Sequence, residues 1–419
     1  MKALPNKQSK LDYMWVIAGL CFLVMFVGLG FCSTAKNAYF QPIVEALDFS
    51  RSAFGISDTF RYATTSVATL FLYRFVERFG TKKILCAGLV CYTLSALINS
   101  LSNTLVGFYL GGIFLGLAVT LAGSTMASII INKWFTKNKG TVLGIILAAN
   151  AAGSALAIAL LEPMIYSDGV GYKNAYFITS LAVVCVLITV LLFFKDKPKV
   201  QQELTLKKEE KASGEWEGFS YSWLKRKPIF YAIIIFVAFY ALSSVNSIST
   251  PHLKDVGFSG KFIALNACVG SIVLMVSKIL VGIIYDRFGI KIAVNLCLFS
   301  ALASKIILFF VTSQTTALAL LYTVLISIAT PFETVMIPII VLDLFGQKSF
   351  TKTLTVTTSL FTVGQALNSP LLNMPYDLSG SYMISFVTST VASVAIIFVL
   401  NYSMLALKKK QKQEGLSRE

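Results

Sequence analysis

Charge is scarce in this chain: only 13% of its 419 residues are Asp, Glu, Lys or Arg, while 56% are hydrophobic and the mean hydropathy is +0.74. A water-soluble domain carries about twice that share of charge, so a soluble globular protein is excluded. Histidine is scarcer still. The single one, His252, stands apart from the seven cysteines (Cys21, Cys32, Cys86, Cys91, Cys185, Cys268 and Cys297), which include no C-x-x-C pair and lie in or beside apolar runs. Neither a metal cluster nor a disulfide framework is expected from that spacing, and no cofactor is implied. The apolar segments also lack any Ser/His, H-E-x-x-H or paired-aspartate arrangement, which argues against a membrane-embedded enzyme.

What the chain has is basic charge in a pattern. Of its 36 Lys and Arg, 28 fall at the two ends and in every second loop, four in the alternate loops and four inside apolar segments. The positive-inside rule then places both termini in the cytoplasm of a protein in the cell's inner (plasma) membrane. The net charge of +16 is a topology signal, so nucleic acid is not an expected partner, although Lys408, Lys409, Lys410 and Lys412 are suited to anionic lipid.

A spanning helix needs about 20 apolar residues, and twelve runs qualify: 13–38, 54–76, 84–102, 105–131, 140–164, 174–194, 229–250, 262–285, 291–312, 315–341, 352–374 and 381–405. The first is longer than 20 residues without a small-residue cleavage site, so it reads as a retained helix rather than a signal peptide. The expectation is an all-α membrane protein of 12 transmembrane helices in two pseudo-symmetric six-helix bundles, residues 1–194 and 229–405. A charged cytoplasmic linker, 195–228, joins them, with a surface helix around 204–211, and a basic tail covers 406–419.

The two halves are related by a repeated loop. Gly282-Ile283-Ile284-Tyr285-Asp286-Arg287-Phe288-Gly289-Ile290-Lys291 follows the eighth segment, and Glu77-Arg78-Phe79-Gly80-Thr81-Lys82-Lys83 follows the second. The later copy resembles the G-x-x-x-D-R-x-G-x-K signature of the major facilitator superfamily of secondary transporters. The earlier copy departs from it at Tyr73 and Glu77, so looser packing is expected there. Asn132-Lys133-Trp134-Phe135, followed by Lys139, Gly140 and Gly144, resembles a loop of the oxalate:formate antiporter and monocarboxylate transporter branch; Pro42, Pro251 and Pro338 with their flanking residues fit the same pattern.

That resemblance implies alternating access, a substrate site near mid-membrane lined by segments 1, 4, 7 and 10, and a cytoplasmic gate. The gate would comprise Glu77, Arg78, Lys82, Gly282, Asp286 and Arg287. It also implies that Lys278 stands where the carboxylate-transporting branch carries an arginine, and that Lys36 matches a substrate-capturing lysine of the first helix. Two family features are missing. Segment 11 has threonines and serines but no second cation, so a two-cation oxalate clamp is not expected, and Leu274 replaces the family's aspartate in segment 8.

Of the ionisable side chains inside apolar runs, where each costs at least ~2.5 kcal/mol at the bilayer centre, six bear on function: Lys36, Asp58, Arg61, Lys278, Lys305 and Glu333. At ~1.5 Å per residue, Lys278 is about 12 Å from Asp286 and Glu333 about 15 Å from Asp343, which puts both near mid-membrane. Lys278 either receives an anion, as an ammonium with three donors is able to, or pairs with Glu333. Lys36 either binds substrate or snorkels to the headgroups. Arg61 and Asp58, at i and i+3, are expected to neutralise each other, with substrate contact by Arg61 as the alternative. Lys305 is expected to snorkel or to pair with Glu333, and His252 to sit in a solvated loop. Glu333 is the candidate proton carrier.

These observations lead to a secondary active transporter of a small organic anion, expected to be a monocarboxylate, working as a monomer in the lipid bilayer by proton symport or as an anion exchanger (antiporter). Substrate binding falls to Lys36, Arg61 and Lys278, and proton coupling to Glu333. The rival within transport is proton-coupled efflux of a drug-like or cationic solute. From another class, the rival is a non-transporting membrane receptor on the same scaffold.

Overall fold

The computed structural model describes residues 7–49, 51–135, 138–165, 171–196 and 219–413, and every regular element among them is helical. That follows from the composition, since in lipid the backbone groups of an apolar run are satisfied most simply within their own segment. The surface helix expected at 204–211 lies outside the described residues. The chain divides into two compact units, Met1–Gln202 and Glu203–Glu419.

The first unit holds α1 (Lys7–Leu23, continued as a π-helix over Val24–Thr34), α2 (Arg51–Phe79), α3 (Thr81–Leu101), α4 (Leu105–Ala122, resuming as Ser124–Trp134), α5 (Lys139–Ile165) and α6 (Gly171–Phe193). The second holds α7 (Pro228–Leu242), α8 (Gly260–Phe288), α9 (Ile290–Leu308), α10 (Thr316–Ala329, a π-turn Phe332–Met336, then Ile337–Phe345), α11 (Phe350–Ser379) and α12 (Met383–Gln413). Nine of these are long and apolar enough to cross a membrane by themselves. The three that fall short are α2, which carries Asp58 and Arg61, α7, which stops after 15 residues, and α11, which is rich in threonine and serine.

In each unit it is the first and fourth helices that are interrupted. α1 breaks at Ala35–Lys36 and is followed by a ten-residue helix, Asn37–Ala46; α7 breaks after Leu242 and is followed by another, Asn246–Asp255. The seventh run, read as continuous from the sequence, is therefore two helices. Asn368 of α11 repairs the break by donating to the carbonyl oxygens of Ala241, Leu242 and Ser244 at 3.2, 2.7 and 2.7 Å. α4 breaks at Gly123, whose backbone is extended, and α10 at its π-turn.

The repeat seen in the loops extends to this irregular backbone. Pro42 and Pro251 occupy the sixth position of the two short helices. Gly80 and Gly289 join the second helix of each unit to the third at φ of 84° and 80°, a conformation open to glycine at little cost, which is why the loop signature retains it. Close approach also recurs. A Cβ on Gly153 would lie 1.9 Å from the Phe26 carbonyl oxygen, where α5 meets α1, and one on Gly364 would lie 2.3 Å from that of Ala238, where α11 meets α7.

The short helices bury their apolar sides in matching clusters. Tyr39 and Ile43 pack with Phe54, Phe108 and Tyr176 in the first unit, and Ile248 and Leu253 with Leu308, Tyr322 and Phe386 in the second. His252 belongs to the latter helix and not to a solvated loop. Its ring stands edge-on to those of Phe386 and Tyr382, with centroids 4.9 and 6.2 Å away. Residues on a helix three and four apart share a face, so His252, four residues after the buried Ile248, is carried partly into the core.

Candidate functional site

In the first unit the break after α1 turns Lys36 inward. Its ammonium donates to Asp58 Oδ1 at 2.9 Å and to Ser57 Oγ at 3.1 Å, and the residue is only 8% exposed. Arg61, one turn along α2 from Asp58, places Nη1 3.6 Å from the same carboxylate oxygen, while its Nη2 donates to Ser33 Oγ at 2.6 Å. The local Asp58–Arg61 pair expected from the i, i+3 spacing is thus a three-member cluster, with Lys36 as the closer partner. Snorkelling of Lys36 is ruled out by its burial. Two cations share one carboxylate, leaving a formal charge of +1, and the Asp58 side chain remains 37% exposed. Asn150 of α5 donates to Thr34 Oγ1 at 3.3 Å at the edge of this group.

In the second unit Glu333 stands on the π-turn of α10, a backbone irregularity that recurs at functional positions. The turn diverts Glu333 N to the Thr330 carbonyl, and the Ala329 carbonyl is taken instead by the Tyr240 hydroxyl of α7 at 3.2 Å. Tyr240 also packs its ring on Phe332, centroids 4.3 Å apart. Glu333 Oε2 accepts from Gln365 Nε2 of α11 at 3.3 Å. Lys278 of α8 is fully buried within electrostatic reach of Glu333. The structure therefore brings these two expected residues together.

Lys305 does something else. It neither reaches the headgroups nor pairs with Glu333. Its ammonium is buried and donates to Ser243 Oγ at 3.1 Å, Ser393 Oγ at 2.6 Å and the Ser389 carbonyl at 3.3 Å, which ties α9 to the end of α7 and to α12. The serines that make this possible lie in two distant apolar runs, and their convergence has no signal in the linear sequence.

The loop residues of the first unit are anchored locally. Lys82 donates through Nζ to the Leu191 carbonyl at 2.8 Å, and its backbone N–H donates to the Asp196 carboxylate at 3.1 Å, which also takes the Thr81 hydroxyl. Asp196 thereby caps the first turn of α3, a favourable place for an acid. Arg78 lies 5.4 Å from the Phe79 ring, and Tyr73, at the glycine position of the signature, is hydrogen-bonded to Glu77. Gly282 is buried, whereas Asp286 and Arg287 are exposed.

Twelve helices in two units, repeated turns and interrupted first and fourth helices are the frame of a known family, whose sequence model, the Major Facilitator Superfamily, matches residues 20–369. The chain belongs to the major facilitator superfamily. It is therefore a membrane transporter and not an enzyme. Among superfamily members it is 25% identical over 298 residues to the uncharacterized MFS-type transporter YcxA of Bacillus subtilis (strain 168), covering 70% of this chain and 71% of that protein. It is 24% identical over 309 residues to Multidrug resistance protein 2 of the same organism, covering 71% and 72%. The superfamily fold is shared with the proton:xylose symporter XylE bound to 6-bromo-6-deoxy-D-glucose, with a TM-score of 0.73 over 95% of this chain and 97% of that one at 14% identity. The E. coli fucose:proton symporter FucP follows, with a TM-score of 0.68 over 93% and 99% at 15% identity.

Proposed function

We propose that this superfamily member carries a small organic monoanion, a monocarboxylate, across the plasma membrane by alternating access. The observation that carries this reading is the charge of the first unit's cluster: among the described residues, Lys36 and Arg61 share only Asp58. An uncompensated buried cation is costly, and a monoanion cancels it where a dianion would overshoot. Arg61 presents a planar fork suited to a carboxylate, and Lys36 a mobile point charge. Lys278 supplies a further cation in the second unit. An anion there competes with Glu333 for the ammonium, and a proton on Glu333 ends that competition, which is the logic of a proton symporter. Glu77, Arg78, Lys82, Gly282, Asp286 and Arg287 serve as the cytoplasmic gate in this reading, with both termini inside.

Efflux of a drug-like or cationic solute is favoured by one observation, the likeness to Multidrug resistance protein 2. A cation would have to approach Lys36 and Arg61 against their charge. A thermal-shift panel on purified protein separates the two readings, because a ligand that binds the folded state stabilises it. Acetate, lactate or pyruvate should raise the melting temperature and oxalate and cationic dyes should not; stabilisation by the dyes alone would replace the anion reading with the efflux one.

A further inference from the structure

Tyr92 of α3 is entirely buried, with its ring against α1 at Gly28, where an added Cβ would lie 3.1 Å from the Tyr92 Cε2. Among the described residues its hydroxyl has no hydrogen-bond partner. The same is true of Arg61 Nε, although the other two nitrogens of that guanidinium are engaged by Ser33 and Asp58. Tyr92 and Arg61 lie within electrostatic range of each other. Two buried donors from different helices are therefore left over in one neighbourhood, within electrostatic range of each other and of a cluster of formal charge +1. Buried donors are almost always paired, and leaving one unpaired costs the folded protein the desolvation of that group. A hydroxyl is easily dispensed with here, since phenylalanine would fill the same space. Both orphans call for an acceptor, and the net charge calls for an anionic one.

We infer that Tyr92 is a substrate-binding residue whose hydroxyl, together with Arg61 Nε–H, receives a carboxylate oxygen of the transported monoanion. This rests on the monoanion reading above and adds a helix, α3, that sequence resemblance leaves outside the site. The guanidinium supplies charge and an N–H that only an acceptor answers, and the phenol adds a second donor with a fixed direction. Tyr92 thus discriminates among solutes, whereas Lys36 and Arg61 attract anions in general.

The test is Tyr92→Phe in the full-length protein, read by thermal shift with and without pyruvate, lactate and acetate. Without ligand, the variant should melt at or above the wild-type temperature, because an unpaired buried hydroxyl has been removed. With the monocarboxylate that stabilises wild type most, its affinity should be about ten- to a hundredfold weaker, the loss of a hydrogen bond to a charged acceptor. A clear drop in ligand-free stability would mean that the hydroxyl has a structural partner, and unchanged affinity would mean that the anion sits elsewhere. Either overturns the assignment while leaving the monoanion reading in place. Failure of all three probes to stabilise wild type defeats that reading, and the assignment with it.

Discussion

In the proposed function an anion on Lys278 and the carboxylate of Glu333 compete for one ammonium, so the two side chains should fail differently when altered. Lys278→Ala is expected to lower apparent substrate affinity in uptake assays by roughly ten- to over a hundredfold, the value of a charge-assisted contact, and Lys278→Arg to restore part of it. Wild-type affinity in the alanine variant would reduce Lys278 to a structural role. Glu333→Gln keeps a hydrogen-bonding group opposite Gln365 but holds no exchangeable charge. In proteoliposomes it should still exchange substrate yet no longer accumulate it under an inward proton gradient; undiminished accumulation would place coupling on another residue. His252 gives a separate pH signature. Burial holds it below its ordinary value of 6.5, outweighing Asp255 and a bond to the Leu308 backbone. The unfolded chain therefore binds more protons there, so stability is full above about pH 6.5 and falls as pH drops through and below it. The melting temperature of His252→Gln should decline less than that of wild type between pH 7.5 and 5.5, and parallel curves would contradict this. That charges such as Lys36, Lys278 and Lys305 lie within the helical bundle was visible in the sequence, because each stands out in an apolar run. Their partners were not: the contact of Lys36 with Asp58 depends on a helix break, and Lys305 is satisfied by serines that look like any others.

At the level of helices, the two glycine contacts carry the sharpest expectation. Gly153→Ala and Gly364→Ala each push a methyl group into a carbonyl oxygen of the neighbouring helix. Each should lower stability by about 1–3 kcal/mol, as overpacking does, visible as a reduced melting temperature. Gly19→Ala is the control. No atom of another described residue is met within 4 Å by a Cβ there, and alanine is the better helix former by up to about 1 kcal/mol, so that variant should melt at or above wild type. Equal effects at all three positions would mean that propensity rather than close contact governs them. Hydropathy located the helices well because lipid demands long apolar runs, and it misled at α7 for the same reason: two small serines, Ser243 and Ser244, barely interrupt the run while the backbone breaks there. The break is tolerated because Asn368 covers three carbonyls, a compensation made on another helix and invisible along the seventh run itself. The π-turn at Glu333 was likewise hidden, since an extra residue per turn leaves composition unchanged.

For the whole molecule, orientation is the assignment on which the others depend. In a background with its cysteines replaced, since Cys185 and Cys268 are exposed, a cysteine at Arg226 should resist an impermeant thiol reagent in intact cells and one at Lys254 should react. Both positions are exposed, so the opposite pattern would invert the topology. The unequal hydrophobicity of the twelve helices also bears on how the chain reaches the membrane. α2 emerges from the ribosome with Asp58 and Arg61 exposed on a segment that the insertion machinery would hand to lipid at a cost of about 2.5–3.5 kcal/mol for each charge. Its remedy has already been synthesised, because Lys36 closes α1 and reaches Asp58 at 2.9 Å. α2 should therefore leave the translocation channel as a pair with α1. Lys36 would then govern the yield of inserted protein as well as its chemistry.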